Sequence, residues 1–135
     1  MKLLQSLLES SGADMVKMLA SQYGMRASKI EDIAFKKAPS SKPKQCFDNA
    51  RKYVLSNPDS TYVIGYLLHR GAIPIEHAWV KDGGKHYDVT IKDILELDEY
   101  WALVEIPYDE LHDMMINKGM SSPALYDYAK YKRGK

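Results

Sequence analysis

The stretch from Ile75 to Ile91 constrains the fold more than any other part of the chain. Two segments rich in β-branched and aromatic residues, Ile75 to Val80 and Lys85 to Ile91, flank Asp82-Gly83-Gly84. Paired glycines after an aspartate supply the positive φ angles of a tight turn, so the stretch reads as a β-hairpin. Alternation puts Ile75, His77 and Trp79 on one face of the first strand and Glu76, Ala78 and Val80 on the other, and the second strand offers His86, Asp88 and Thr90 on one face. If Gly83-Gly84 is a two-residue turn, His77 opposes Thr90 and Trp79 opposes Asp88. His77 and Asp88 are then diagonal neighbours on one face, roughly 7 Å apart. One more turn residue would move Asp88 to the other face.

Around the hairpin, Leu3, Leu4, Leu7 and Leu8, and then Met15, Val16, Met18 and Leu19, recur at helical spacing, with Ser10-Ser11-Gly12 between them. Residues 1–38 therefore read as a helical N-terminal segment, although Ile30 to Phe35 is too short to assign. Ala38 to Pro43 is a loop by its proline and serine content. Cys46, Asn49, Ala50, Tyr53 and Val54 share one helical face, with Ser41 placed to cap the start and Asn57-Pro58 to end it. Thr61 to Leu68 and Tyr100 to Ile106 read as strands, Asp109 to Lys118 as a helix closed by Gly119, and Ser122-Pro123 as the start of a last helix through Tyr128. The order describes a single α+β domain over 1–135, with its core at 43–106 and a cysteine helix packed on a small antiparallel sheet.

Charge narrows the partners. Nineteen basic residues against 18 acidic ones leave a formal charge of +1, which gives no global attraction to nucleic acid or anionic membrane. Lysines concentrate at Lys36, Lys37, Lys42 and Lys44, and basic residues again at Lys130, Lys132, Arg133 and Lys135. The tyrosines beside that basic tail, Tyr126, Tyr128 and Tyr131, read as an amphipathic helix with a solvated end. The longest apolar runs fall far short of the roughly 20 residues of a membrane helix, and the first residues lack the apolar stretch of a signal peptide, so a cytoplasmic protein is expected.

The chain has one cysteine, which excludes an internal disulfide. Cys46 is then a small buried hydrophobe, a surface thiol or a reactive one. A thiol attacks as the thiolate, and a helix N-terminus with a nearby imidazolium lowers its pKa. Cys46 has the first element by position, and His77 supplies the second. Asp88 would hold the other ring nitrogen of His77 and so fix its tautomer. Each residue also has a plain reading: His77 as a core histidine, Asp88 as a turn cap or a partner of Lys85. Trp79 packs beside the site or walls the substrate, Asn49 ties the helix to a loop, Gln45 adjoins the thiol, and Glu76 is solvated on the far face. His69, His86 and His112 show no ligand spacing with Cys46, so neither a metal centre nor another cofactor is expected.

Cys46-Phe47-Asp48-Asn49-Ala50, Glu76-His77-Ala78-Trp79-Val80 and Tyr87-Asp88-Val89-Thr90 together resemble the transglutaminase-like branch of the papain-like cysteine enzymes, in which Cys, His and Asp follow in that order on helix, strand and strand. The Cys-x-x-Asn-Ala start and the Pro-Ile-Glu-His-Ala-Trp core also look like short proteins of bacterial and phage genomes. Residues 43 to 91 carry the likeness. It implies a papain-like fold with Cys46, His77 and Asp88 as a catalytic triad, Gln45, Asn49 and Trp79 in substrate-binding or supporting roles, and a protein or peptide substrate. The papain pattern has a glutamine as oxyanion donor where this chain has Ser40, which leaves the Cys46 N–H as the first donor. Two functions follow. One is a cysteine-dependent hydrolase or acyltransferase acting on an amide, peptide or isopeptide bond through a thioester. The other is a catalytically silent binding module on the same fold, phage-encoded and directed at a host protein.

Overall fold

Strands of this chain form where β-branched and aromatic residues cluster, and they assemble into one sheet in the computed structural model, which describes residues 27–39, 41–68 and 74–134. The described elements are β1 (Ser28–Ile30), β2 (Ile33–Phe35), α1 (Cys46–Ser56), β3 (Thr61–Leu68), β4 (Ile75–Asp82), β5 (Lys85–Asp88), β6 (Glu99–Pro107), α2 (Tyr108–Ile116) and α3 (Leu125–Arg133). The expected helices at Leu3–Leu8 and Met15–Leu19 lie outside the described residues, as do Ser40 and His69.

The fold is α+β, a curled six-stranded sheet in the order β1-β6-β3-β4-β5-β2 with three described helices. The expected sheet was small and antiparallel. The actual one is larger and mixed, because β2 joins the outer edge of β5 in parallel, while β1 extends the opposite edge antiparallel to β6. The helical reading of 1–38 is thus corrected at 28–30 and 33–35. Three-residue strands are too short to show a period, and the ladder bonds offered by the sheet's two edges decide their conformation.

The two sheet faces differ. One carries Tyr62, Ile64, Ala78, Val80, Val104 and Ile106 against the apolar sides of all three helices. The other holds Val63, Leu67, Trp79, Tyr100 and Ala102, partly covered by Ile30, Ile33, Ile91 and Ile94. The central strands are therefore apolar on both sides.

Two local devices set which residue faces which side. Gly83 (φ 61°) and Gly84 (φ 80°) both adopt left-handed backbone, as a two-residue turn of the primed type requires. The resulting register pairs Val80 with Tyr87 and Asp82 with Lys85, which keeps Asp88 on the face of His77. The second device is a bulge between β3 and β6: Ile64 faces Val104 but Gly65 faces Ala102, so Leu103 is the extra residue. Beyond it the alternation of β6 inverts, and Tyr100 rather than Trp101 joins Trp79. Glycine is required at 65, where a Cβ would stand 2.0 Å from the Trp101 carbonyl oxygen.

Asn49, Ala50, Tyr53 and Val54 form the buried stripe of α1. Ser41 does not cap this helix; Gln45 is its N-cap and contributes no side-chain hydrogen bond. The last helix starts at Leu125, later than expected, and runs to Arg133. Its free N–H groups are met by carboxylates: Asp127 accepts from Ala124 N–H at 2.9 Å and Glu76 from Leu125 N–H at 3.0 Å. Glu76, expected to be solvated, is drawn half out of water by that role, and burial raises its pKa. Among the described residues no helix is long and apolar enough to cross a membrane.

Candidate active site

Asp88 ends β5 by folding back on its own chain. Its Oδ1 accepts the N–H groups of Thr90 (2.8 Å) and Ile91 (2.9 Å), which is why the strand stops at residue 88 instead of continuing to 91. Its Oδ2 accepts from His77 Nε2 at 2.7 Å and from the Tyr100 hydroxyl at 2.6 Å. The carboxylate is fully buried and receives four hydrogen bonds. Burial alone would raise its pKa, but His77 and the other donors reverse that and hold it below the usual value.

Because β5 turns away at Asp88, its pairing with β4 covers only Val80, Lys81 and Asp82. The Cys46 thiol comes up to this uncovered part of β4, near enough for the Ala78 N–H to lower its pKa. The same sulfur lies beside the His77 ring, close enough for each group to shift the other's pKa. Since Nε2 of His77 is committed to Asp88, Nδ1 is the nitrogen that faces the thiol. Helix, strand and strand thus bring Cys46, His77 and Asp88 together, with His77 hydrogen-bonded to Asp88 and the thiol beside its ring.

The electrostatics move the proton from the thiol toward the ring. Burial pushes the Cys46 thiol up, but the hydrogen bond and charge of His77 and the Ala78 N–H bring it below its ordinary value. Burial likewise disfavours a charged His77, yet Asp88 and Cys46 outweigh it and raise the imidazole to about 9. Both shifts run toward a thiolate beside an imidazolium, the form in which sulfur attacks. Cys46 is also the first residue of α1, so its own N–H and that of Phe47 lack an intrahelical acceptor and point out of the helix start. These are the donors that can meet a developing oxyanion. Lys44, two residues earlier, takes a left-handed φ of 63°, at a cost of roughly 1–2 kcal/mol for a side chain with a Cβ.

The other predicted residues separate by role. Trp79 is fully buried and stacks on His77 at 6.1 Å, while its indole N–H donates to His86 Nδ1 at 2.9 Å, so it packs beside the ring with no surface open to solvent. Asn49 accepts from Lys42 N–H (2.9 Å) and donates to Lys42 O and to Thr90 Oγ1 (2.8 Å each). It fastens the cysteine helix to the incoming loop and to the segment after Asp88. Gln45 is exposed beside the thiol and lies nearest to solvent of the three.

Tyr100 is the residue that sequence reading missed. It packs edge-on to His77 (5.9 Å) and Trp79 (5.2 Å) besides bonding Asp88. Burial, with Asp88 adjacent, raises its pKa and keeps the phenol protonated as a donor. Plain alternation back from Ile106 puts Tyr100 on the helix-covered face, and no sequence signal marks the bulge except Gly65 in the neighbouring strand. No family model, curated protein or solved structure matches this chain.

Proposed function

We propose that the chain is a cysteine-dependent hydrolase or acyltransferase with a transglutaminase-like or papain-like core, acting on amide, peptide or isopeptide bonds. The observation that carries this reading is a thiol at a helix start joined to an imidazole whose other nitrogen is locked on a buried, four-bonded carboxylate. A core histidine or a turn-capping aspartate needs no thiol at the free ring nitrogen.

In the reaction, the Cys46 thiolate gives an electron pair to the substrate carbonyl carbon, and the N–H groups of Cys46 and Phe47 receive the oxyanion. The C–N bond breaks as His77 Nδ1–H delivers its proton to the leaving amine, which leaves a thioester on Cys46. Water or a second amine then attacks that thioester, His77 takes the incoming proton, and the S–C bond breaks. Asp88 stays ionised throughout and holds the ring in position.

Iodoacetamide labelling across pH tests the activated thiol. Cys46 is expected to alkylate well below pH 8, and His77→Ala to slow labelling at pH 7 by about tenfold or more, since each unit of pKa changes the thiolate fraction tenfold. Equal and slow labelling of both proteins would sink the proposal. An ester or amide acyl probe that modifies wild type but not Cys46→Ala separates the enzyme from a silent binding module; labelling of neither favours the module.

A further inference from the structure

Two cavities, of 480 and 510 Å³, flank a common wall that includes Lys37, Pro39 and Ser41. The first is bounded further by Lys52 and Tyr53 of α1, and the second by Lys42, Thr90 and Lys92. Among the described residues, no carboxylate lines either one. Lys36, at the rim of the first, is engaged by Asp82 and by the rings of Tyr53 and Tyr87. Lys37, Lys42, Lys52 and Lys92 have no carboxylate partner among the described residues.

A chain of net charge +1 has thus gathered around one double cleft four lysines that no described carboxylate compensates. Lysines left unpaired on concave surfaces focus positive potential there. In the shared wall, Ser41 also keeps a buried Oγ without a hydrogen-bond partner among the described residues, a hydroxyl whose hydrogen is free to rotate about the Cβ–Oγ bond toward an acceptor. The cleft adjoins the triad's supports. Asn49 lines the first cavity and Thr90 the second, and these two side chains are bonded to each other at 2.8 Å. Thr90 in turn donates to Asp88.

We propose that this cleft binds an acidic peptide segment, rich in aspartate or glutamate, of the protein on which Cys46 acts. The identification of the peptide as substrate rests on the cysteine-enzyme reading; the binding itself does not. Two cavities of 480 and 510 Å³ that share lining residues fit several successive side chains of an extended chain better than one small anion. Carboxylates spaced along that chain meet Lys37 and Lys52 on one side and Lys42 and Lys92 on the other.

Fluorescence anisotropy with a labelled Glu/Gly octapeptide tests this on the full chain, with no chemistry required. The acidic peptide is expected to bind at least tenfold more tightly than a Ser/Gly octapeptide and to weaken as salt rises. The double variants Lys37→Glu/Lys52→Glu and Lys42→Glu/Lys92→Glu should each weaken it tenfold or more, with circular dichroism confirming that they fold. Lys118→Glu/Lys130→Glu, an equal charge change elsewhere, should alter it less than twofold. Equal binding of acidic and neutral peptides overturns the proposal, as does an equal loss in the control variant. So does preferential binding of a single-stranded oligonucleotide, or of inorganic phosphate at concentrations that displace the peptide completely. Because alkylation of Cys46 is read separately, a cleft that binds beside an unreactive thiol would fail the enzyme reading alone, and a reactive thiol beside an indifferent cleft would fail this one alone.

Discussion

The two ends of one hairpin carry the same set of groups in different surroundings. At the turn end, Asp82 accepts the Tyr53 hydroxyl at 2.5 Å and lies 3.9 Å from Lys36, with its side chain 30% exposed and that of Lys36 43% exposed. At the open end, Asp88 accepts the Tyr100 hydroxyl at 2.6 Å and the His77 ring at 2.7 Å, wholly out of water. A phenol, a carboxylate and a cation appear in both. Water separates their consequences: a screened pair is a weak surface clasp, whereas a desolvated one holds a proton where it would not otherwise stay. The chain keeps its costly arrangement at the end where the cysteine helix arrives.

The largest break in this comparison is Asp88→Ala. It strands the His77 ring, the Tyr100 hydroxyl and two backbone N–H groups in the interior, and removing one partner of a buried pair costs about 3–5 kcal/mol. Urea denaturation at pH 7 reads that loss. The pH dependence sharpens it. The folded pKa of Asp88 lies below its unfolded value, so its contribution is present above about pH 4 and is lost as pH falls through the folded value. The difference in stability between wild type and Asp88→Ala should therefore shrink on acidification. His77 has the opposite sign. Its imidazole resonance is expected to titrate near 9 in wild type and to fall toward or below about 6.5 in the variant; a midpoint unchanged by Asp88→Ala would remove the carboxylate as the cause.

Tyr100→Phe comes next. It deletes one of four bonds to a buried charge, and a hydrogen bond to an ionised group contributes about 1.5–3 kcal/mol. The matching change at the turn end, Tyr53→Phe, removes a bond to a carboxylate that water still reaches, and about 0.5–1.5 kcal/mol is expected. Tyr100→Phe should also move the pH profile of Cys46 alkylation, because Asp88 Oδ2 would then serve His77 alone. Tyr53→Phe should leave that profile where it is. Equal effects of the two variants on alkylation would mean that the buried end has no special hold on the thiol.

Why the sequence disclosed one part of this arrangement and hid another follows from the range of the forces involved. The hairpin register is local: two glycines fix the turn, the turn fixes the pairing, and the pairing sets His77 beside Asp88. The cysteine helix is legible for the same reason, from its apolar stripe and from Asn57-Pro58. Tyr100 was hidden because its face depends on the extra residue Leu103, and that bulge arises where β3 and β6 approach closely at Gly65. β1 and β2 were hidden because three residues carry no period, and it is the distant sheet edges that order them. The bond from Glu76 to the last helix joins residues 49 positions apart, and alternation gives only the side on which Glu76 lies. The double lysine cleft falls between these cases: its charges were visible as a run at Lys36 to Lys44, but Lys52 and Lys92 reach it only through the fold.

The smallest expected effect is at the exposed clasp itself. Asp82→Ala removes the carboxylate facing Lys36 at 3.9 Å, a pair whose partners are both partly solvated, and such pairs contribute about 0–1 kcal/mol. Its loss also gives up the bond from the Tyr53 hydroxyl, but the hydroxyl, unlike in Tyr53→Phe, remains to bond water, so this part falls at the low end of the Tyr53→Phe range, about 0.5 kcal/mol. The variant should therefore fall within about 1 kcal/mol of wild type in urea, and what remains should diminish in 0.5 M salt as screening removes the ionic part. The replacement leaves Gly83 and Gly84 in place, so the register should hold and Cys46 should alkylate at the wild-type rate. A loss of alkylation in Asp82→Ala would show that the two ends are coupled through the strands, and that the turn-end clasp helps to align His77 with Asp88.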